Sequence, residues 1–230
     1  EGFYYRRAGL ALAYTSMPIS SGVRFSWRLF ADRQDAARTR AREMAHDKGA
    51  LYPWRTITGP ECSSYFPAGT AQYHINADIA YAIRQYTDVT GDFTFLLEQG
   101  AEVVFETARI WPALGQFDAN GQFGIYTVTG PDEYTALVNN NLFTNAMARH
   151  HMQFAVNIVA WLSKDHPAAL ETLREKIGLT SEEIAIWQDA AAHMKLPYDA
   201  ERGLHAQDDS FFDKPVWDFA NAPKDKYPLL

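Results

Sequence analysis

The feature that most constrains the fold is the helical spacing of apolar residues, which recur every three or four positions along most of this 230-residue chain. Such spacing places the apolar side chains on one face of a helix, which packs that face against a core. The spacing predicts helices over residues 23–44, 73–86, 93–111, 140–162, 165–176 and 181–194. Between the third and fourth of these, residues 117–128 carry Phe, Ile, Thr and Val between glycines, which favours an extended segment or short hairpin. From Leu196 onward the chain is rich in Pro and Asp, which predicts coil.

These elements predict an all-α protein, with residues 1–230 forming a single domain. Neither a Pro/Gly/Ser linker nor a shift in composition divides the chain. The last predicted helix opens with Thr180-Ser181-Glu182-Glu183, which matches a capping box worth about 1 kcal/mol. Antiparallel helices of these lengths suit either a bundle or an α/α barrel, and the pattern alone does not separate the two. In a barrel the longer loops would collect at one end and build a site.

Charge and composition argue against several classes of partner. The 21 Lys and Arg residues against 28 Asp and Glu give a net charge of −7, without a long run of like charges, so no nucleic-acid partner is expected. The apolar stretches fall short of the roughly 20 residues that span a bilayer, so no membrane partner is expected either. The single cysteine, Cys62, excludes a disulfide framework within the chain and favours a reducing compartment, for which the cytoplasm is the default.

The densest group of polar residues follows the predicted extended segment, within residues 128–134 (VTGPDEY). The Gly-Pro step fixes a turn, so Asp132 and Glu133 would be presented from rigid backbone beside an aromatic ring. Such surroundings disfavour a charged carboxylate, raise its pKa and suit a proton donor near neutral pH. In the structural alternative, Asp132 caps a turn, Glu133 is solvated, and the three asparagines at 139–141 supply an ordinary helix cap.

A second polar group consists of Gln72, His74, Asn76 and Asp78. His74 and Asp78 are four positions apart and would therefore share one face of a helix. Such a pair could bind a sugar hydroxyl, whereas a hydrogen-bonded pair at the start of a helix is the structural alternative. A metal site would need at least three protein ligands, so no metal is predicted.

Trp54 and Arg55 form a third candidate, within a loop dense in Gly, Pro, Thr and Ser. An aromatic face can stack on a pyranose ring, and a guanidinium group offers a planar fork of donors to hydroxyls or to an anion. In the structural alternative, Trp54 pins this loop to the core.

Three stretches in this order resemble glycoside hydrolase family 65, the family of maltose, kojibiose and trehalose phosphorylases. They are residues 49–56 (GALYPWRT), 71–81 (AQYHINADIAY) and 128–141 (VTGPDEYTALVNNN), and residues 207–211 (QDDSF) extend the match. The resemblance covers roughly residues 49–212. It implies that the chain is part of an (α/α)6-barrel catalytic domain, with the flanking β-domains of the family absent from it.

The resemblance also implies a reaction, the inverting phosphorolysis of an α-linked glucosyl disaccharide to β-glucose 1-phosphate and a free sugar. Glu133 matches the family's general acid. Because phosphate serves directly as the nucleophile, a second catalytic carboxylate and a cofactor are not required. Trp54 and Arg55 match a loop that borders the glucosyl and acceptor sites. The resemblance places His74, Asn76 and Asp132 near the same pocket as substrate-binding residues.

Two features of the family lack a counterpart. The family's His-x-Phe-Trp-Asp-x-Glu stretch, whose Asp holds the non-reducing glucose, corresponds here to residues 2–9 (GFYYRRAG). The family's Lys-Gln segment and Ser-rich phosphate loop would lie after Leu230. The barrel is therefore expected to be incomplete, and two alternatives stay open: a trehalase-like hydrolase that needs no phosphate, and a non-catalytic carbohydrate-binding domain. Dimers are common in the family, so a homodimer is one assembly that the full-length protein could adopt.

Overall fold

The computed structural model describes residues 30–63, 66–132, 136–216, 218 and 220–221, and most of these residues are helical. The helices are α1 (Gln34–Glu43), α2 (His74–Thr90), α3 (Phe93–Phe95), α4 (Ala101–Ala108), α5 (Ile110–Leu114), α6 (Leu142–Asp165), α7 (Pro167–Ile177) and α8 (Ser181–Ala192). A π-helical turn, Leu96–Gly100, joins α3 to α4, and short 3₁₀ turns span Pro67–Ala71 and Phe211–Asp213. This architecture confirms the predicted all-α class. Glu133 and residues 2–9 lie outside the described residues.

Two short antiparallel hairpins interrupt the helices. In the first, β1 (Gly115–Phe117) pairs with β2 (Phe123–Ile125), which confirms the predicted hairpin between the third and fourth helices. In the second, β3 (Tyr198–Asp199) pairs with β4 (Leu204–His205). The prediction of coil after Leu196 is wrong for this second hairpin. Strands of two residues are too short to show the alternation from which a strand is predicted.

Helix α6 is the centre of the core and packs against α2, α4 and α8. Its buried residues follow the helical period and include Ala148, Met152, Ala155, Ile158 and Leu162. The side chains predicted as core in the segment 93–111 are all buried, namely Phe95, Leu96, Val103, Phe105 and Ile110. The predicted capping box is also confirmed, because Thr180 and Glu183 bond each other's backbone N–H at the start of α8. Helical periodicity therefore located most of these helices and their buried faces. The single helix predicted over 93–111 is instead divided into α3, the π-helical turn, α4 and α5, and residues 23–29 of the first predicted helix lie outside the described residues.

One polar side chain, His151, lies inside this apolar core and has no exposed surface. Its Nδ1 accepts a hydrogen bond of 2.9 Å from the indole N–H of Trp111. Since an indole N–H can only donate, the proton of the neutral imidazole is on Nε2, which lies 3.0 Å from the Val104 carbonyl oxygen and 3.2 Å from Thr107 Oγ1. Burial lowers the pKa of His151 to about 3. A neutral imidazole therefore links α4, α5 and α6.

Candidate functional site

Glu61 organises the loop that carries Trp54 and Arg55. Its Oε2 accepts the Trp54 backbone N–H at 2.7 Å, and its Oε1 accepts the Arg55 N–H at 3.0 Å. The same carboxylate lies 3.1 Å from Nη2 of Arg40 on α1. Burial lowers the pKa of Arg40, and the negative charge of Glu61 opposes this shift. Glu61 was not singled out from the sequence, where the only signal is an acidic residue six positions after Arg55 in a loop rich in Gly and Pro.

Trp54 is held between the neighbouring loop residues and a glycine. Its ring is 3% exposed, with the Arg55 guanidinium 4.3 Å from the ring centroid and the Phe66 ring edge-on at 5.7 Å. A Cβ atom built on Gly69 would lie 2.3 Å from Trp54 Cε3, so only glycine allows this approach. Trp54 therefore packs its loop against the 3₁₀ turn Pro67–Ala71, and its expected contact with substrate stays a prediction. Arg55 is half-buried.

His74 and Asp78 lie on one face of α2, as their spacing predicts. His74 Nδ1 is 3.0 Å from Asp78 Oδ2, and the imidazole meets the ring of Phe143 edge-on at 5.4 Å. Phe143 is in the first turn of α6, so His74 marks the place where the starts of α2 and α6 meet. The two side chains form a hydrogen-bonded pair at the start of α2, and the expected contact of His74 with substrate stays a prediction.

Asn76 is fully buried, and its amide group bonds backbone groups of two other segments. Its Oδ1 accepts the Tyr52 N–H at 3.0 Å, and its Nδ2 donates to the carbonyl oxygens of Ala50 at 2.9 Å and Thr107 at 3.3 Å. This buried side chain therefore holds the loop in position. The structure gives Asn76 a positioning role, and its expected contact with substrate stays a prediction.

Replacing Asn76 by Ala is expected to lower the free energy of unfolding by about 2 kcal/mol. The Tyr52 N–H and the Ala50 carbonyl would stay buried without a partner, and each such group costs roughly 1–3 kcal/mol before relaxation. Urea unfolding of the wild-type and variant proteins measures the difference. Asn120→Ala is the matched control, because Asn120 lies in an exposed turn and should change stability by less than about 0.5 kcal/mol. Equal stability of Asn76→Ala and wild type would contradict the positioning role.

The loop that includes Asp132 is closed by a pair of backbone hydrogen bonds between Val128 and Val138, of 2.9 and 2.8 Å. The N–H of Thr129 donates to the Ala71 carbonyl oxygen at 3.1 Å, which joins this loop to the turn that packs on Trp54. At Gly130 a Cβ atom would lie 2.4 Å from Asn141 Nδ2, so a larger residue would displace the asparagine. The base of loop 128–138 is thus fixed against both the Trp54 loop and the start of α6.

A distant segment, residues 207–209, supports the other side of this loop. Gln207 Nε2 donates to Asp132 Oδ2 at 2.8 Å, and the Gln207 carbonyl oxygen accepts the Leu142 N–H at 2.8 Å. Asn140 Nδ2 donates to Asp209 Oδ2 at 2.6 Å. The fold therefore brings together two of the motifs noted in the sequence, although Asp132 and Gln207 are 75 positions apart.

Each of the three asparagines at 139–141 accepts a backbone N–H with its side-chain oxygen. Asn139 Oδ1 accepts the Thr127 N–H at 3.1 Å, and Asn140 Oδ1 accepts the Ile125 N–H at 3.1 Å. Asn141 is the N-cap of α6 and accepts the Thr144 N–H at 3.0 Å. The helix-cap prediction is therefore confirmed for Asn141, while the other two fix the approach of β2 to the loop. Catalytic groups need such rigid support, since small errors of placement reduce rates strongly.

Among the described residues, no group of three or more His, Cys, Asp or Glu side chains is arranged to hold a metal ion. None of the described helices combines the length and the apolar character that crossing a bilayer requires.

Comparison with known proteins relates this arrangement to enzymes that act on disaccharides. Residues 14–230 match the model of the glycosyl hydrolase family 65 central catalytic domain. Over 196 residues the chain is 58% identical to an alpha,alpha-trehalose phosphorylase of Geobacillus stearothermophilus, covering 85% of this chain and 26% of that protein. A kojibiose phosphorylase of Halothermothrix orenii is 37% identical over 202 residues, covering 81% of this chain and 26% of that protein.

A solved structure described as a kojibiose phosphorylase from the human microbiome superposes with a TM-score of 0.76 at 30% identity, covering 87% of this chain and 29% of that chain. The mainly helical architecture and this similarity are consistent with an incomplete α/α barrel. The chain spans about a quarter of the length of the curated relatives that it matches.

Proposed function

The chain belongs to glycosyl hydrolase family 65, and from this premise we propose that it is part of the catalytic domain of an inverting disaccharide phosphorylase. The observation that carries the proposal is the fixed base of loop 128–138. This loop is tied through Thr129 and Ala71 to the turn beneath Trp54, and through Asp132 to Gln207. We assign the general acid to Glu133, which follows Asp132 in this loop.

The proposed reaction needs one carboxyl group from the protein. Protonated Glu133 gives its proton to the glycosidic oxygen as the bond between that oxygen and the anomeric carbon breaks. A phosphate oxygen attacks the anomeric carbon from the opposite face and forms the new bond. The products are a free sugar and β-glucose 1-phosphate, and the configuration at the anomeric carbon is inverted. Glu133 regains a proton from phosphate or from water.

We further propose α,α-trehalose as the disaccharide, because the identity to a trehalose phosphorylase exceeds that to a kojibiose phosphorylase over a similar share of the chain. Arg55 would donate to sugar hydroxyls, since the residue is only partly buried and its guanidinium group carries several N–H groups. His74, Asp132 and Trp54 would line or support the same pocket. Phosphate is the only co-substrate in this scheme, and the proposal includes no cofactor.

The proposal is tested by incubating the encoded protein with trehalose, kojibiose or maltose, in the presence and absence of phosphate. We expect trehalose to disappear only with phosphate, and glucose and β-glucose 1-phosphate to appear in equal amounts. Proton NMR identifies the anomer that is formed first. Release of glucose without phosphate would instead indicate a trehalase-like hydrolase. Binding of trehalose by calorimetry without turnover would indicate a non-catalytic carbohydrate-binding domain. Either result would overturn the proposal.

A further inference from the structure

Positive charge is concentrated in a cleft of about 410 Å³ where α1, the turn after α1, α4 and the end of α7 meet. Five cations line this cleft against two carboxylates, and the cations are Arg38, Arg42, Lys48, Arg109 and Lys176. The chain as a whole has the opposite balance, with a net charge of −7. None of the lining residues belongs to the loops 52–66 and 128–138 of the proposed site. The cleft therefore needs an explanation of its own.

The two carboxylates in the cleft, Glu102 and Glu106, are already fully paired. Glu102 Oε1 accepts from Arg38 Nη2 at 2.8 Å, and its Oε2 accepts from Lys176 Nζ at 2.5 Å. Glu106 Oε1 accepts from Arg109 Nη1 at 2.7 Å, and its Oε2 accepts from Arg38 Nε at 3.3 Å. Both carboxylates are nearly buried, so they need these cationic partners to remain charged. Three of the five cations are thus accounted for by packing.

The other two cations, Arg42 and Lys48, are not needed for this pairing. Arg42 Nη1 donates to the carbonyl oxygens of His46 at 3.1 Å and Gly49 at 3.3 Å, which fixes the guanidinium group at the end of α1. Among the described residues, no carboxylate forms an ion pair with Arg42. In the same part of the chain, Lys48 has only Glu183 within 4 Å, with 3.8 Å between Nζ and Oε1. Both oxygens of Glu183 already accept closer hydrogen bonds.

Exposed carboxylates near the cleft do not balance this charge. Asp35 Oδ1 lies 2.9 Å from Arg38 Nη1, but the Asp35 side chain is 94% exposed. Asp47 precedes Lys48 in the sequence and is exposed as well. Water and salt screen charges at such positions. Two cations in one cleft without a close counter-ion repel each other, and an anion between them removes that repulsion. The unmatched charge therefore points to an anionic ligand.

We propose that this cleft binds a phosphate group, which Arg42 and Lys48 hold. A phosphate group offers several acceptor oxygens and up to two negative charges, and guanidinium and ammonium groups bind it through charge-assisted hydrogen bonds. An adjoining cleft of about 570 Å³ shares Lys48 and Arg109 with the first and is also lined by Pro112 and Ile186. It has room for the sugar of a sugar phosphate. The group can therefore come from inorganic phosphate or from a phosphorylated sugar.

Hydrogen exchange of the encoded protein, followed by mass spectrometry, tests this inference. Sodium phosphate is added at neutral pH, with sodium chloride keeping the ionic strength constant. We expect exchange in the segments 44–50 and 174–180 to slow with a saturating dependence on phosphate. Lys48→Gln should raise the apparent Kd by about 10-fold or more, because one charge-assisted contact is lost. The fold should tolerate this change, since the Lys48 side chain is 60% exposed.

The matched control is Lys164→Gln, which removes an exposed lysine of α6 that does not line the cleft. This variant has the same net charge as Lys48→Gln and should keep the wild-type Kd. An effect of phosphate that does not saturate would overturn the inference, since it would then reflect general screening of the surface. Equal Kd values for wild type and Lys48→Gln would overturn it as well.

A second titration, with glucose 6-phosphate, distinguishes the two sources of the group. A Kd lower than that of inorganic phosphate by about 10-fold or more, with slower exchange in α8 as well, would identify a sugar phosphate that also fills the adjoining cleft. Similar Kd values without a change in α8 would identify inorganic phosphate. If neither compound slows exchange in the segments 44–50 and 174–180, the inference fails. It does not rest on the proposed function, which is decided separately by the turnover of trehalose.

Discussion

Replacing Glu133 by Gln is expected to reduce kcat for the phosphorolysis of trehalose by about 10²- to 10⁴-fold, with little change in KM. A carboxamide has nearly the shape of the carboxylic acid but gives no proton to the departing oxygen, so the loss falls on the transition state. Steady-state rates with saturating phosphate measure the effect. The control is Glu171→Gln, which removes an exposed carboxylate on α7 and should leave the rate unchanged.

A substrate that needs no protonation tests the assigned role more closely. Fluoride leaves from α-glucosyl fluoride with much less assistance from an acid, so Glu133→Gln should lose far less activity on this compound than on trehalose. An equal loss on both substrates would indicate that the substitution disturbs the loop instead of removing a proton donor. Wild-type activity of Glu133→Gln on trehalose would rule out the assignment of Glu133 as the general acid.

The stability of the protein is expected to fall as the pH is lowered, and His151 should be a main cause. The pKa of His151 is about 3 in the folded protein, against about 6.5 in the unfolded chain. The unfolded chain therefore binds the proton more readily, and the stabilisation is complete above pH 6.5 and is lost as the pH falls from 6.5 towards 3. The loss is about 1.4 kcal/mol per pH unit, or roughly 4–5 kcal/mol over the whole window.

Urea unfolding at a series of pH values between 7 and 4.5 measures this dependence. His151→Gln should be less stable than wild type at pH 7, but its free energy of unfolding should fall less steeply below pH 6.5. Burial also lowers the pKa values of His46 and His150, so part of the slope is expected to remain in the variant. His193→Gln is the control, because the side chain of His193 is 55% exposed. Parallel curves for wild type and His151→Gln would contradict the proposed cause.

The agreement between sequence and structure is closest where the signal is local. The capping box of Thr180 and Glu183 depends on residues three positions apart, and the structure contains both of its hydrogen bonds. The pair of His74 and Asp78 depends on one helical turn, and the structure shows the expected contact. Spacing along a helix determines these geometries directly, so no knowledge of the remaining chain is needed.

The agreement ends where a side chain takes its partner from another part of the fold. Asn76 and Gln72 are both amides in one short motif, and nothing in their spacing distinguishes the buried amide that bonds Tyr52 and Ala50 from the one that has no partner among the described residues. The role of Glu61 could not be predicted from its neighbours in the sequence either, because it depends on Arg40 of α1 and on the folded path of its own loop.

The sequence by itself determined the helices, the first hairpin, the faces that enter the core and the motif around Glu133, because periodicity and turn chemistry act over a few residues. Only the tertiary structure decided that Ala71 meets Thr129, that Gln207 supports Asp132, and which buried amide is satisfied. Those contacts join segments up to 75 positions apart, and they depend on how α2 and α6 pack and where the connecting loops then run. The residues next to a polar group in the sequence do not indicate which distant segment will pack against it. The pairing of these polar groups could therefore be known only from the folded chain.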